Sequence, residues 1–279
     1  MEFCPADVVD SDRLCSWEGG SDTDGYGSRT RCEMKLGTFL ERWCAGWPNR
    51  QLGYLKDWHL PRLHPKVASD TYSPLDVFGF DGLNAWCDGR DADDYRFVYA
   101  GQAGTWTALH HDVLCSHSWS ANVVGRKHWI LFPPAVTELL FDGQGNLVPD
   151  ARPSAWKQYS SAVRASLSQA WAKRVEATQG VGDVVFVPAG WHHQVHNVAG
   201  TVSVNHNWIC ASGLPAFCAF VVRELHDTCA SIADLRAREE HEPVDGTGEE
   251  RTFLNNISSG RSADCLMSCL LYTSPSPRD

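Results

Sequence analysis

The stretch Gly182-Asp183-Val184-Val185-Phe186-Val187-Pro188-Ala189-Gly190-Trp191-His192-His193 reads as a turn, a short apolar strand and a second turn that delivers a pair of histidines. The Val/Phe run has the β-branched and aromatic bias of a strand, and Gly-Asp and Pro-Ala-Gly bound it on either side. Far upstream, His110-His111-Asp112 adds two histidines and a carboxylate. Side chains at i and i+2 of a strand share a face, so His110 and Asp112 can bind one ion while His111 points away. Two imidazoles and one carboxylate hold Fe(II) on one side and leave positions open for a cosubstrate and oxygen. The third ligand must come from a distant strand. His192 and His193 are adjacent, so only one of them can share the metal's face, and His196 and His206 are further contenders.

Around these two elements lie several short runs: Arg96 to Tyr99, Trp119 to Val124, His128 to Phe132 and Thr201 to Val204. Many short strands separated by Gly, Pro and Asp predict a sandwich or barrel rather than alternating βαβ units. Leu36, Phe39, Leu40 and Trp43 fall at i, i+3, i+4 and i+7, the stripe of a short amphipathic helix that Gly46, Trp47 and Pro48 end. Ala155 to Thr178 interrupts the strands with helix-forming residues or a long insert, and the segment after Gly213 reads as helix. Residues 1–33 are rich in Asp, Ser, Gly and Cys and are expected to be loop or weakly ordered; 34–212 form the principal domain; 213–260 form a helical segment. Arg261 to Asp279 continues no earlier pattern, looks like translated adaptor sequence, and is set aside as a non-native tail.

The 279 residues, 43% of them hydrophobic, suffice to bury a large core, and 12 Trp with 11 Phe make it aromatic. The formal charge of -10 argues against a nucleic-acid surface, which needs clustered Lys and Arg. A basic protein partner fits that charge better. Eleven cysteines without a Cys-x-x-Cys pair suit neither a zinc ribbon nor a disulfide framework, so they are expected to be mostly reduced. Neither a basic-then-apolar leader nor an apolar run of about 18 residues occurs, so no membrane association is expected, and the protein is expected in the cytosol or nucleus.

Gly125-Arg126-Lys127 precedes one of the apolar strands. A lysine turned into a barrel is costly unless an anion meets it. Beside a two-histidine, one-carboxylate site, the natural anion is the distal carboxylate of 2-oxoglutarate.

At these residues the chain resembles the Jumonji-C family of Fe(II)- and 2-oxoglutarate-dependent oxygenases, over roughly Met34 to Phe220. The resemblance is carried by Tyr54 to Leu60, Asp94 to Tyr99, Ser118 to Val123, Gly125 to Lys127, Phe186 to Asn197 and Asn205 to Trp208, and within the family it is nearest the Jumonji-C domain-containing protein 4 branch. It implies a mainly β fold with flanking helices, a double-stranded β-helix or cupin-like jelly roll, with iron held by His110, Asp112 and His193. It chooses His193 over His192 by position in the Gly-Trp-x-His pattern. It likewise implies 2-oxoglutarate on Lys127, with Thr107 and Asn205 as helpers, and O2 as second cosubstrate. His111 departs from the small residue expected at that place in the branch. The chain also begins late and ends early relative to the family, which bears on stability and on whether it forms a homodimer.

The function that the resemblance implies is lysyl hydroxylation of the peptide-chain release factor that reads stop codons, within translation termination. One alternative is N-methyl-lysine demethylation, which uses the same oxidation on a methyl group. The other is a non-catalytic cupin-like module around a structural metal, to which Lys127 would be of no use. Tyr99, Trp106 and Trp119 are candidates for the mouth of the site, although rim aromatics are more often core.

Overall fold

A computed structural model describes residues 14–20, 30–45, 52–90 and 94–239, and the side chains of 35–45, 52–90 and 94–230. Two antiparallel sheets face each other as a jelly roll, and the candidate site lies between them. The larger sheet runs in the order β2 (Thr30–Lys35), β1 (Leu14–Gly20), β3 (Leu52–Trp58), β4 (Arg96–Gly101), β11 (Thr201–Trp208), β6 (His117–Val124) and β9 (Val184–Val187). The smaller one runs β5 (Trp106–His110), β10 (His192–Asn197), β7 (Lys127–Phe132) and β8 (Val175–Gln179). Helices α1 (Leu36–Ala45), α2 (Leu60–Leu63), α3 (Pro65–Thr71) and α4 (Gly82–Asp88) flank the large sheet, α5 (Ser161–Trp171) flanks the small one, and α6 (Leu214–Glu239) follows β11.

The alternation of each strand sorts its residues between the space inside the sandwich and the outer layers. On β7, Ile130 and Phe132 point outward against Leu140, Val148, Leu167 and Ala170, whereas Trp129 and Leu131 point inward with Val187 and Val195. On the other sheet, Val98, Ala100, Trp119, Val204 and Trp208 point outward and are covered by Leu36, Phe39 and Phe78. Each such side chain removed from water contributes about 2 kcal/mol, so these layers hold the sandwich closed around an interior that is largely polar. Both Leu36 and Phe39 of the expected stripe are buried in α1, and Leu40 and Trp43 pack partly against the same cluster.

Three local readings need adjusting. Residues 14–20 and 30–35, in a stretch whose composition reads as loop, form β1 and β2, because β1 is hydrogen-bonded on both sides by β2 and β3. The interruption after Ala155 is a 3-10 turn at Pro153–Gln158 followed by α5, but its end is strand: Val175 to Gln179 pairs with β7. Strand β5 ends at His110, so Asp112 lies just past it, in extended backbone at φ -68, ψ 151. Gly46, Trp47, Pro48 and residues 240–279 lie outside the described residues. Among the described residues no helix is long and apolar enough to cross a membrane.

The β6–β7 hairpin that aims Lys127 inward turns at Gly125, with φ +79, and a Cβ there would come within 1.9 Å of the Gly200 carbonyl oxygen. Gly125→Ala must therefore adopt left-handed backbone and also push the neighbouring turn away. The variant is expected to lose about 2 kcal/mol or more, read as a lower urea midpoint with an unchanged m value; an unmoved midpoint would show that the turn accepts a side chain.

Candidate metal centre and its cavity

β10 lies between β5 and β7, with His193 directly opposite His110 on β5 and Leu131 on β7. This pairing brings the two histidine rings to a centroid separation of 4.2 Å. Asp112 completes the set, and one potential ligand atom from each of His110, Asp112 and His193 lies within 4.8 Å of the others. No other group of three or more such residues occurs among the described residues.

The surroundings of each side chain suit it to a metal. His110 Nδ1 lies 2.7 Å from the Ala108 carbonyl and His193 Nδ1 lies 3.2 Å from the Trp191 carbonyl. A carbonyl only accepts, so each Nδ1 carries the hydrogen and Nε2 is left as the lone-pair donor. Burial, together with the neighbouring His193, holds His110 well below the usual histidine range and so in the neutral form that a ligand needs. Asp112 accepts from Ser118 Oγ at 2.7 Å and from Asn207 Nδ2 at 3.0 Å, one donor on each carboxylate oxygen. Two imidazoles and one oriented carboxylate are the donor set for Fe(II).

His111 turns away as the alternation requires, its ring packing against His192 at 5.3 Å and Phe220 at 6.0 Å. Of the other contenders, His192 lies with His111, His196 stacks on Trp106 at 5.3 Å, and His206 is bonded to the Tyr72 hydroxyl at 2.8 Å. Trp106 thus lies with His196 away from the cavity. Trp119 borders the cavity, but its ring stacks on Phe78 at 5.2 Å in the outer core; Tyr99 is a lining residue.

Lys127 is 2% exposed and opens onto the same cavity as the three ligands. Its ammonium donates to Ser203 Oγ at 2.6 Å, and Ser203 Oγ also accepts from Asn205 Nδ2 at 3.0 Å. Thr107 is on the wall too, its hydroxyl 3.5 Å from the Tyr54 hydroxyl. Thr107 and His110 could not share a face of a regular strand. Between them β5 spends three steps against two on β10, from His193 to Val195, and this bulge resets the alternation so that both face inward while Leu109 enters the outer core. The cavity therefore brings together all six residues read from the sequence.

It also contains residues that fall in the blocks carrying the resemblance but were given no site role there: Tyr54, Lys56 and Asp57 of β3, Ser118 of β6 and Asn207 of β11. Ser203, the partner of Lys127, was equally unmarked. For Ser203 the available signal was its i, i+2, i+4 spacing with Asn205 and Asn207 on one strand.

A jelly roll with two histidines and an aspartate at one end of a cavity and a buried lysine in its wall defines a cupin-type metal site. The chain belongs to the cupin-like domain family, whose model matches residues 26–211. It is 43% identical over 216 residues to the human "2-oxoglutarate and iron-dependent oxygenase JMJD4", covering 76% of this chain and 51% of that protein. It is 36% identical over 232 residues to the Arabidopsis thaliana "Arginine-specific demethylase JMJ20" (77% and 48%) and 29% identical over 156 residues to the Caenorhabditis elegans "Bifunctional arginine demethylase and lysyl-hydroxylase psr-1" (55% and 39%). The chain spans about half the length of curated relatives it matches, such as the human, chicken and zebrafish JMJD4 proteins.

Burial and the nearby Lys56 push the Lys127 ammonium down to about 7. A bound dicarboxylate favours the charged form and raises that value, so binding takes up a proton above about pH 7 and none well below it. The affinity for 2-oxoglutarate is expected to weaken as pH rises through 7, by up to about tenfold per unit. Titration calorimetry in buffers of different ionisation heat should show the proton uptake, and Lys127→Met should weaken binding at pH 7 and flatten the profile. A flat profile in the unaltered protein would refute this role of Lys127.

Proposed function

We propose that this chain is an Fe(II)- and 2-oxoglutarate-dependent protein hydroxylase whose target is a lysine of the peptide-chain release factor, which would place its work in the cytoplasm. The observation that carries the oxygenase reading is the buried Lys127 in one cavity with His110, Asp112 and His193. A structural ion needs three or four ligands and a closed shell; it has no use for an ammonium buried in the wall. A dicarboxylate that chelates the metal at one end accounts for that ammonium at the other. The lysine and release-factor parts rest on the resemblance to the family branch; the name of the nematode relative, which includes lysyl hydroxylation, also supports a lysine target.

When bound, Fe(II) with 2-oxoglutarate and O2 supplies the oxidation, placing one oxygen atom in a substrate C–H bond and the other in succinate as carbon dioxide leaves. The protein positions and encloses. His110 and His193 turn Nε2 to the site because their Nδ1 hydrogens are held by backbone carbonyls. Ser118 and Asn207 fix the Asp112 carboxylate, and Lys127, set by Ser203, orients the cosubstrate. Trp129 stacks on His193 at 5.7 Å and, with Val195, keeps water from that flank.

Purified protein with Fe(II), 2-oxoglutarate and the release-factor domain is expected to form succinate faster than without the domain, and intact mass should show one added oxygen on a lysine. Iron and 2-oxoglutarate binding without a mass gain would sink the target; formaldehyde from a methylated substrate would favour demethylation.

His193→Ala is expected to abolish succinate formation while the protein still melts cooperatively. Loss of the fold in that variant would support a structural ion instead.

A further inference from the structure

Strand β3 carries a bulge at the cavity wall. Leu55 pairs with Ala100 and Trp58 with Val98, so Lys56 and Asp57 together lie opposite the single residue Tyr99. The insertion sends Leu55 and Trp58 to the same outer core, though three residues apart, and leaves Lys56 and Asp57 on the cavity side. Asp57 holds the left-handed conformation, φ 52, which is unfavourable for a residue with a side chain. Bulges and strained backbone concentrate where a side chain must be re-aimed for function.

What this bulge aims is charge. Tyr99 Oη donates to Asp57 Oδ1 at 2.9 Å. The same phenol is pushed well above its usual range by burial, then by Asp57, Tyr54 and Asp112, so its hydroxyl lies close enough to feel both the Asp57 carboxylate and the metal-site carboxylate. Phe97 stacks on Tyr99 at 6.0 Å and Tyr54 meets its edge at 6.2 Å, so aromatic rings fix the phenol beside the carboxylate, and the Lys56 ammonium lies 5.3 Å from the centre of the Tyr54 ring. A carboxylate beside aromatic rings is a seat for an organic cation. The neighbour of Asp57, Lys56, brings the opposite charge towards the metal ligands. Lys56, 6% exposed, lies near enough to His110 and Lys127 for its charge to lower both. A cationic head pushed to the metal would confront Lys56 with little water between, whereas beside Asp57 it would meet a countercharge.

We infer that Asp57, oriented by Tyr99, is the subsite for the ammonium of the substrate lysine, so that a mid-chain methylene rather than the carbon bonded to nitrogen faces His110, Asp112 and His193. This assignment rests on the lysyl hydroxylase reading and sharpens it, because demethylation would require the nitrogen's own methyl group at the metal. Lys56 guards the metal end against the cation, and Asp57 receives it.

The test uses the full chain loaded with Mn(II) and 2-oxoglutarate, and two probes: Nα-acetyl-lysine amide and Nα-acetyl-norleucine amide, which lacks the ammonium. Proton NMR reads affinity and, through broadening by Mn(II), which probe carbons lie nearest the metal. The lysine probe is expected to bind at least tenfold more tightly than norleucine, with its β-to-δ methylenes broadened more than the ε-methylene. Asp57→Asn, which tolerates the left-handed backbone, should erase the preference. Tyr99→Phe keeps the ring and should reduce the preference several-fold, and it tests the same contact should Asp57→Asn not fold. No lysine preference in the unaltered chain, a preference that survives Asp57→Asn, or strongest broadening at the ε-methylene would each overturn the assignment. If the release-factor domain gains no oxygen yet the probes behave as expected, the target is wrong and the subsite stands.

Discussion

The pairing of His193 with His110 across β10 and β5 is the constraint on which the site depends. These residues are far apart in sequence, and no local preference brings them together. What does is the register of β10 between β5 and β7, and that register is held by the sorting of apolar residues on both faces of the small sheet. A slip of β10 by one residue would turn Val195 outward and Gln194 inward, exchanging His193 for His192 at the metal. Burial of Val195 against Trp129, Leu131 and Val187 on the inner face, and the hydrogen bonds of Gln194 to Ala151 N and Asp150 on the other, therefore choose the ligand. The bulge in β5 is the second half of the same constraint, since without it Thr107 and His110 could not both face the cavity.

The interior held by that register is unusual in its charge. Lys56, Lys127 and Asp112 are all buried in the cavity wall, with Asp57 at their edge, and Lys127 titrates near 7 in the free protein. Buried charges of this kind weaken a fold unless ligands or partners compensate them. As far as Lys127 is concerned, the unfolded chain binds a proton between about pH 7 and 10.5 that the folded chain does not, so stability of the free protein rises with pH across that window. A dianion that restores the proton offsets this cost, which ties the occupancy of the cavity to the stability of the sandwich.

Much of this was legible in sequence where the chemistry repeats at strand spacing. His110, Asp112 and the turn-strand-turn ending at His193 stand out because side-chain type and period agree, and Lys127 stands out because it precedes an apolar strand. What was illegible depends on defects in that period. Tyr54-Leu55-Lys56-Asp57-Trp58 has the look of a partly solvated strand, and nothing local says that an extra residue on β3 faces Tyr99 alone. Ser118, Ser203 and Asn207 are ordinary polar residues until cross-strand pairing sets them beside Asp112 and Lys127. Trp106 illustrates the converse, an aromatic residue one position from Thr107 that lies outside the cavity, stacked on His196. The strands β1 and β2 were hidden for a different reason, since their order comes from backbone pairing with β3 and not from their own composition.

The two sheets also divide the metal set between them. His110 and His193 belong to the small sheet, whereas Asp112 sits in the link that leaves it and is fastened by Ser118 of β6 and Asn207 of β11 in the large one. Asn207 in turn is fixed from behind, its carbonyl accepting from Asn84 Nδ2 at 2.9 Å on α4. An ion held by all three ligands therefore ties one sheet to the other at this end of the cavity. The same geometry makes Asp112 sensitive to how the sheets sit relative to each other, while the two histidines are fixed by a single strand pair. Small changes in sheet packing should then be felt at the carboxylate first, which places Ser118 and Asn207 among the residues that keep the donor set in order.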